Sequence, residues 1–198
     1  MLLKTVSKIF GLLGYICLSS ACVADEVSDM CIKNLPNRLG LEKNAPETMR
    51  FVGDETDIID YESQKGGQGW GYARKYRNGS CEVIVYVYNR EKESISNDDV
   101  SAELAYFDGF TPEGQFQKDV GDDVFSGIAG IKAVDETVGK QVHMVSITAK
   151  HGQFIKYRTS CRLMSDLKEE ANFRLADMFT TQVIKGTYGL LSDCLSEK

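Results

Sequence analysis

Two histidines, four cysteines outside the leader-like start and three groups of carboxylates are the residues of this chain that could do chemistry. Near neutral pH a general base is most often a histidine. A Ser–His–acid or Cys–His hydrolase would therefore have to use His143 or His151. Neither stands beside a G-x-S-x-G elbow or a reactive-cysteine motif. His143 alternates with Val145 and Ile147 on one strand face, which suits a hydrogen-bonded core or edge histidine. His151 precedes Gly152 in a turn.

The carboxylates fall at Asp54-Glu55-Asp57, at Asp98-Asp99 and at Asp119 with Asp122-Asp123. Calcium wants several hard oxygens, but none of these groups has the D-x-[DN]-x-[DN]-G spacing of a calcium loop. Turns and a helix cap account for them. Nothing in the spacing selects a pair for glycoside hydrolysis. The run Gly66-Gly67-Gln68-Gly69 leads into a strand, not into Lys-Ser/Thr and a helix, so it is no phosphate loop. No cofactor and no metal are expected. A small hydrolase using carboxylates with His143 stays as the enzymatic alternative.

The aromatic residues offer a binding surface instead. Trp70, Tyr72, Arg74 and Tyr76 alternate along one strand, and Tyr, Trp and Arg dominate binding hot spots. Lys156 and Arg158 are candidate neighbours. The same residue types are also good strand formers that fill the layer between a sheet and a helix, so both readings stand at this point.

Cys17 and Cys22 fall in an N-terminal stretch with the grammar of a secretory signal peptide. Lys4 and Lys8 precede an apolar run from Ile9 to Ala24 that is short for a membrane span. Small residues at Cys22 and Ala24 mark cleavage before Asp25. Lipidation of Cys22 is the rival, although Ser19 stands where a lipobox wants Leu. Residues 1–24 are thus read as leader and 25–198 as one domain. The remaining Cys31, Cys81, Cys161 and Cys194 form an even, widely spaced set, which in an exported chain reads as two disulfides. The pairing Cys81–Cys161 with Cys31–Cys194 suits two strand ends and the two chain ends; four cysteines allow two other connectivities. Without the leader lysines, 21 basic residues face 29 acidic ones. That balance argues against nucleic acid as a partner and against anionic membrane, except through a lipidated Cys22.

The elements that would position these residues follow from local signals. Asn78-Gly79 is a strong hairpin signal. Folding about it sets Tyr76 opposite Cys81 and Lys75 opposite Glu82, with Cys81, Val83, Val85 and Val87 on one face. His151-Gly152 makes a second hairpin, placing Ala149 by Phe154 and His143 by Ser160. Ser28 caps a short helix over Asp29 to Asn34. Met49 to Val52 and Ile58 to Tyr61 read as a strand pair. Val100, Leu104 and Phe107 mark a middle helix, Thr111-Pro112 a further helix start, and Asp119 to Gly130 a loop anchored by Phe125 and Ile128. Asp166 caps a last helix with Leu167, Ala171, Leu175 and Met178 on its stripe, which Gly186 ends. The expected fold is α+β: an antiparallel sheet of about six or seven strands with helices packed on its faces.

The segments Asp60-Tyr61-Glu62, Gly69 to Tyr72, Val83 to Asn89 and Gly152 to Arg158, followed by a closing helix, resemble a family of uncharacterised exported proteobacterial proteins. Their layout is similar to the PsbP/Mog1-like sandwich. The resemblance implies a Gram-negative periplasm and a non-enzymatic accessory or binding role; a protein partner in the cell envelope is the expectation for such a module. It carries no catalytic residues. An inhibitor or immunity protein for a basic partner is the alternative that the acidic charge suggests.

Overall fold

The structure, a computed structural model, describes residues 20–40, 49–51, 57–60, 70–88, 111–135 and 139–197. The glycine-rich run at 66–69 and the helix expected over Val100 to Phe107 lie outside them, as do Asp54, Glu55, Asp98 and Asp99. The class is α+β. Its strands are β1 (Arg38–Leu39), β2 (Met49–Phe51), β3 (Asp57–Asp60), β4 (Trp70–Asn78) and β5 (Cys81–Tyr88), then β6 (Thr111–Val120), β7 (Asp123–Asp135), β8 (Gly139–Lys150) and β9 (Gln153–Arg162). All belong to one antiparallel sheet, ordered β1-β2-β4-β5-β9-β8-β7-β6. β3 joins the same edge of β4 as β2, farther along the strand. The sheet is therefore larger than the expected six or seven strands. β2 and β3 do not pair with each other; each pairs with β4.

β1 and β6 are the added strands, β6 in the segment read as a helix start, and β7 carries the strand expected from Ile131 onward back into the segment read as a loop. Thr111–Val120 and Asp123–Asp135 form a long hairpin about Gly121, which adopts φ 61. Their alternation is weak because Lys118, Asp123, Gly127 and Ala129, on the same face as Phe125, are small or charged, so the period-two signal is diluted. Phe125 is the anchor expected of it, fully buried between the Tyr157 and Tyr188 rings.

The β4–β5 hairpin turns one position later than expected, with Asn78 opposite Cys81 and Arg77 opposite Glu82. Gly79 takes φ 52 while Ser80 does not take positive φ. That sign pattern belongs to a II′ turn with Gly first, where Asn-Gly would have made I′. The shift preserves the faces, because each strand residue exchanges its partner for another on the same side. Glu82 still reaches Lys75 diagonally at 3.5 Å while binding Arg77 directly at 2.7 Å. In β8–β9 the register is as expected, with His151 (φ 51) and Gly152 (φ 73) in the turn.

Two helices, α1 (Ser20–Lys33) and α2 (Glu169–Ser196), lie on one and the same face of the sheet. α1 starts before Ser28, so Ser28 is no cap; its hydroxyl donates to Gln153 Oε1 at 2.8 Å, tying α1 to β9. α2 is not capped by Asp166 but begins at Glu169, whose acid suits the N-terminal end of the dipole. Asn172 folds back over that start, donating to the carbonyls of Met164, Leu167 and Lys168. α2 also runs straight through Gly186. A Cβ there would lie 2.9 Å from Leu39 Cδ2, so this glycine admits β1 to the helix surface and does not end the helix.

The buried face of α2 is partly polar: Ala176, Thr180, Val183, Thr187 and Leu191. Leu167 and Met178, expected on it, are each 39% exposed. Thr180 donates to Ala176 O and Thr187 to Val183 O, which uses each hydroxyl proton. Thr159 and the Tyr157 phenol must then be the donors to those threonine oxygens, at 2.5 and 3.0 Å. Two disulfides close the structure, Cys31–Cys194 between the helices and Cys81–Cys161 between β5 and β9.

Candidate functional site

The hairpin face expected to bind is instead the floor beneath α1. Arg74 is 5% exposed and Tyr76 fully buried. Arg74 donates to the carbonyls of Ile32 at 3.1 Å and Lys33 at 2.8 Å, and to Asn37 Oδ1. Those carbonyls belong to the last turn of α1, which has no intrahelical donors left for them. Tyr76 donates to Pro36 O at 2.8 Å, and burial pushes its phenol up to about 12, with Arg74 opposing. Tyr72 is half-buried against the same core. Trp70 starts β4 opposite Asp60, and its side chain lies outside the described set. Tyr72, Arg74 and Tyr76 are thus corrected from a partner surface to the seat of a helix. Even-numbered residues of β4 face α1, and the sequence does not say which side of the sheet the helices occupy.

Lys156 and Arg158 are on the opposite face. Lys156 lies over the Tyr86 and Tyr88 rings at 4.8 and 4.6 Å. Tyr88, Val145, Ile147 and Phe154 make a second buried cluster beside them. Of the expected acid groups, Asp119 and Asp122 are exposed at the β6–β7 turn. Asp123 accepts from Lys150 at 2.8 Å and from the Tyr188 hydroxyl at 2.7 Å. The Lys150 bond holds its carboxyl below the ordinary value, with burial opposing and Tyr188 assisting.

On this second face, at the end of the sheet where β4 turns into β5, is a concavity of about 510 Å³. Its residues form two rows across the strands. The first runs Arg77 on β4, Glu82 on β5, Ser160 on β9 and His143 on β8. The second runs Arg162 on β9, Gln141 on β8 and Lys132 on β7, closed by the turn residues Gly79 and Ser80. Arg158 stands one pleat along β9 on the other side of Ser160, so Arg158 and Arg162 flank it with about 13 Å between their backbones. Four cations and one carboxylate line the site. Glu82 is already bound to Arg77 and Lys75. Among the described residues no carboxylate pairs with Lys132, Arg158 or Arg162.

His143 is buried at the floor, its Nδ1 3.0 Å from Ser160 Oγ. Burial first, then the positive charges of Arg158 and Lys132, lower it to about 4. The imidazole is therefore neutral at physiological pH, one nitrogen donating and the other accepting. A serine beside a histidine is the start of an activated nucleophile. Here the acid is misplaced: Glu82 is opposite Ser160 and bound to two cations, where a triad needs it on the histidine.

The pairing of His143 with Ser160 is legible from the His151-Gly152 turn. Arg158, Ser160 and Arg162 alternate along one strand, which is the signal that could have found the site. What sequence does not show is that Arg77 and Lys132, far away in the chain, arrive on the same side.

No protein-family model matches the chain, and no curated protein or solved structure matches it either. Among the described residues no helix is long and apolar enough to cross a membrane. The two disulfides point to an oxidising compartment.

Proposed function

We propose that this protein is an exported, periplasmic accessory or binding protein without catalytic activity, and that its working surface is the cationic concavity, which takes an anionic ligand or partner group. The carrying observation is charge. A chain of net charge −6 gathers four cations around one already neutralised carboxylate, three of them with no carboxylate partner among the described residues. Like charges so placed repel one another unless an anion arrives. The two disulfides support export, and the braced sheet supplies a rigid platform for the site.

A hydrolase reading draws on the Ser160–His143 contact. The depressed basicity of His143 weighs against it, since a general base works best with a pKa near the operating pH. An inhibitor of a basic partner would have to use the acidic remainder of the surface, not this site.

The test is retention of the exported protein, disulfides intact, on immobilised heparin at low salt. Net-acidic proteins flow through such a column unless their cations are concentrated. Retention that falls with salt and disappears in Arg158→Glu/Arg162→Glu supports the reading. Flow-through of the wild type, or undiminished retention of the double variant, overturns it.

A further inference from the structure

We infer that the concavity is a receptor for a phosphoryl group, the dianionic end of a phosphate monoester, seated over Ser160 and His143 between Arg158 and Arg162. The inference rests on the anion-binding reading above and adds the chemical class of the ligand.

Three of the four cations are arginines: Arg77, Arg158 and Arg162. A guanidinium presents a planar fork of N–H donors that matches two oxygens of one phosphate, and it is less strongly hydrated than an ammonium. Arg158 and Arg162 approach from the two ends of the same strand face, so each can take a different pair of oxygens. Lys132 adds a point charge from β7, across the concavity from Arg77 on β4. Between the cations lie neutral groups that can donate hydrogen bonds, the Ser160 hydroxyl and the Gln141 amide, with the His143 ring beneath them in contact with Ser160 at 3.0 Å.

The charge count selects the class. Four cations against Glu82 leave a net charge of +3 around the cavity. A carboxylate would cancel one of these charges, whereas a phosphate monoester at neutral pH carries close to two. The cavity volume of about 510 Å³ exceeds a bare phosphate and lies in the range of small-molecule sites, so it also admits part of the esterified group. Such a group reaches an exported protein either as a soluble phosphate ester or as the phosphorylated headgroup of a lipid. The recognition chemistry is the same for both.

The experiment is calorimetric titration of the exported protein with inorganic phosphate, glucose 6-phosphate and acetate, beside sedimentation with phosphatidylcholine vesicles with and without phosphatidic acid. Saturable phosphate or ester binding, at least tenfold tighter than acetate and at least tenfold weaker in Arg158→Gln/Arg162→Gln, is the expected result. Lys132→Gln, an exposed rim substitution, should weaken binding severalfold with unchanged thermal unfolding, which separates ligand loss from misfolding. Co-sedimentation that needs phosphatidic acid and those arginines assigns the lipid-borne source, and soluble-ester binding without it assigns the free one. Equal affinity for acetate and phosphate overturns the phosphoryl assignment. So does absence of phosphate, ester and vesicle binding while arginine-dependent heparin retention persists, in which case the anion-binding reading survives. Loss of all of these removes both.

Discussion

Replacing Arg74 by Met keeps most of the side-chain stem and removes the guanidinium. In the structure that group satisfies the carbonyls of Ile32 and Lys33 at the end of α1 and binds Asn37. Asn37 is exposed and regains water, so the loss concentrates on the two helix carbonyls beneath a buried side chain. Ile32 O keeps a bond from Leu35 N at 3.3 Å, which spares part of its share. A hydrogen bond to a charged donor contributes about 1.5–3 kcal/mol, and a buried orphan costs about 1–3 kcal/mol. The release of a buried guanidinium to water offsets some of this. The net expectation is a loss of about 3–4 kcal/mol, a large part of the about 5–15 kcal/mol that folded domains possess. For a chain of this size that lowers Tm by about 6–16 °C. Arg74→Lys, which supplies one point donor and no fork, should recover about half. The assay is urea unfolding followed by far-UV circular dichroism with disulfides intact, read as the midpoint at constant slope. An unchanged midpoint for Arg74→Met, together with lost ligand binding, would refute the reasoning and return Arg74 to the role of a surface anchor.

Two further outcomes follow from the same structure. His143 should titrate near 4 by NMR, well below the ordinary histidine value, because of its burial and the charges of Arg158 and Lys132. Since the unfolded chain then binds a proton at higher pH than the folded one, stability should fall as pH drops from about 6.5 towards 4. His143→Gln should flatten that stretch of the profile; a wild-type profile already flat there would contradict the burial argument. On α2, nothing lies within 4 Å of a Cβ added at Gly189, whereas one at Gly186 meets Leu39 Cδ2 at 2.9 Å. Gly189→Ala should therefore stabilise by about 0.5–1 kcal/mol. Gly186→Ala should gain less or nothing, and equal gains in thermal unfolding would show that Leu39 does not press on the helix.

Much of this architecture is present in local signals. A two-residue turn constrains only its neighbours, so His151-Gly152 was enough to pair His143 with Ser160 and Ala149 with Phe154. Period-two alternation put Cys81, Val83, Val85 and Val87 on one face, and the three valines form the floor of the main core. The even, widely spaced set of four cysteines pointed to the two bridges that close it. Where local signals were diluted, they misled. Small and charged residues hide the β6–β7 hairpin, a turn shifted by one residue at Gly79-Ser80 moves the β4–β5 register, and Gly186 is a stop signal that α2 overrides.

The side of the sheet that receives the helices is a different kind of question. Alternation divides Tyr72, Arg74 and Tyr76 from Arg77 and Lys75, but both halves are polar and aromatic enough to face either way. That choice is made by distant partners: α1 brings carbonyls that need Arg74, and α2 brings threonines that Tyr157 and Thr159 bind. Once the helices take one face, the other receives Arg77, Lys132, His143, Arg158 and Arg162 from four strands, and only their pairing order makes them neighbours. The residues that could meet were written in the sequence, and the long-range packing of two helices against one side of the sheet decided which of them did.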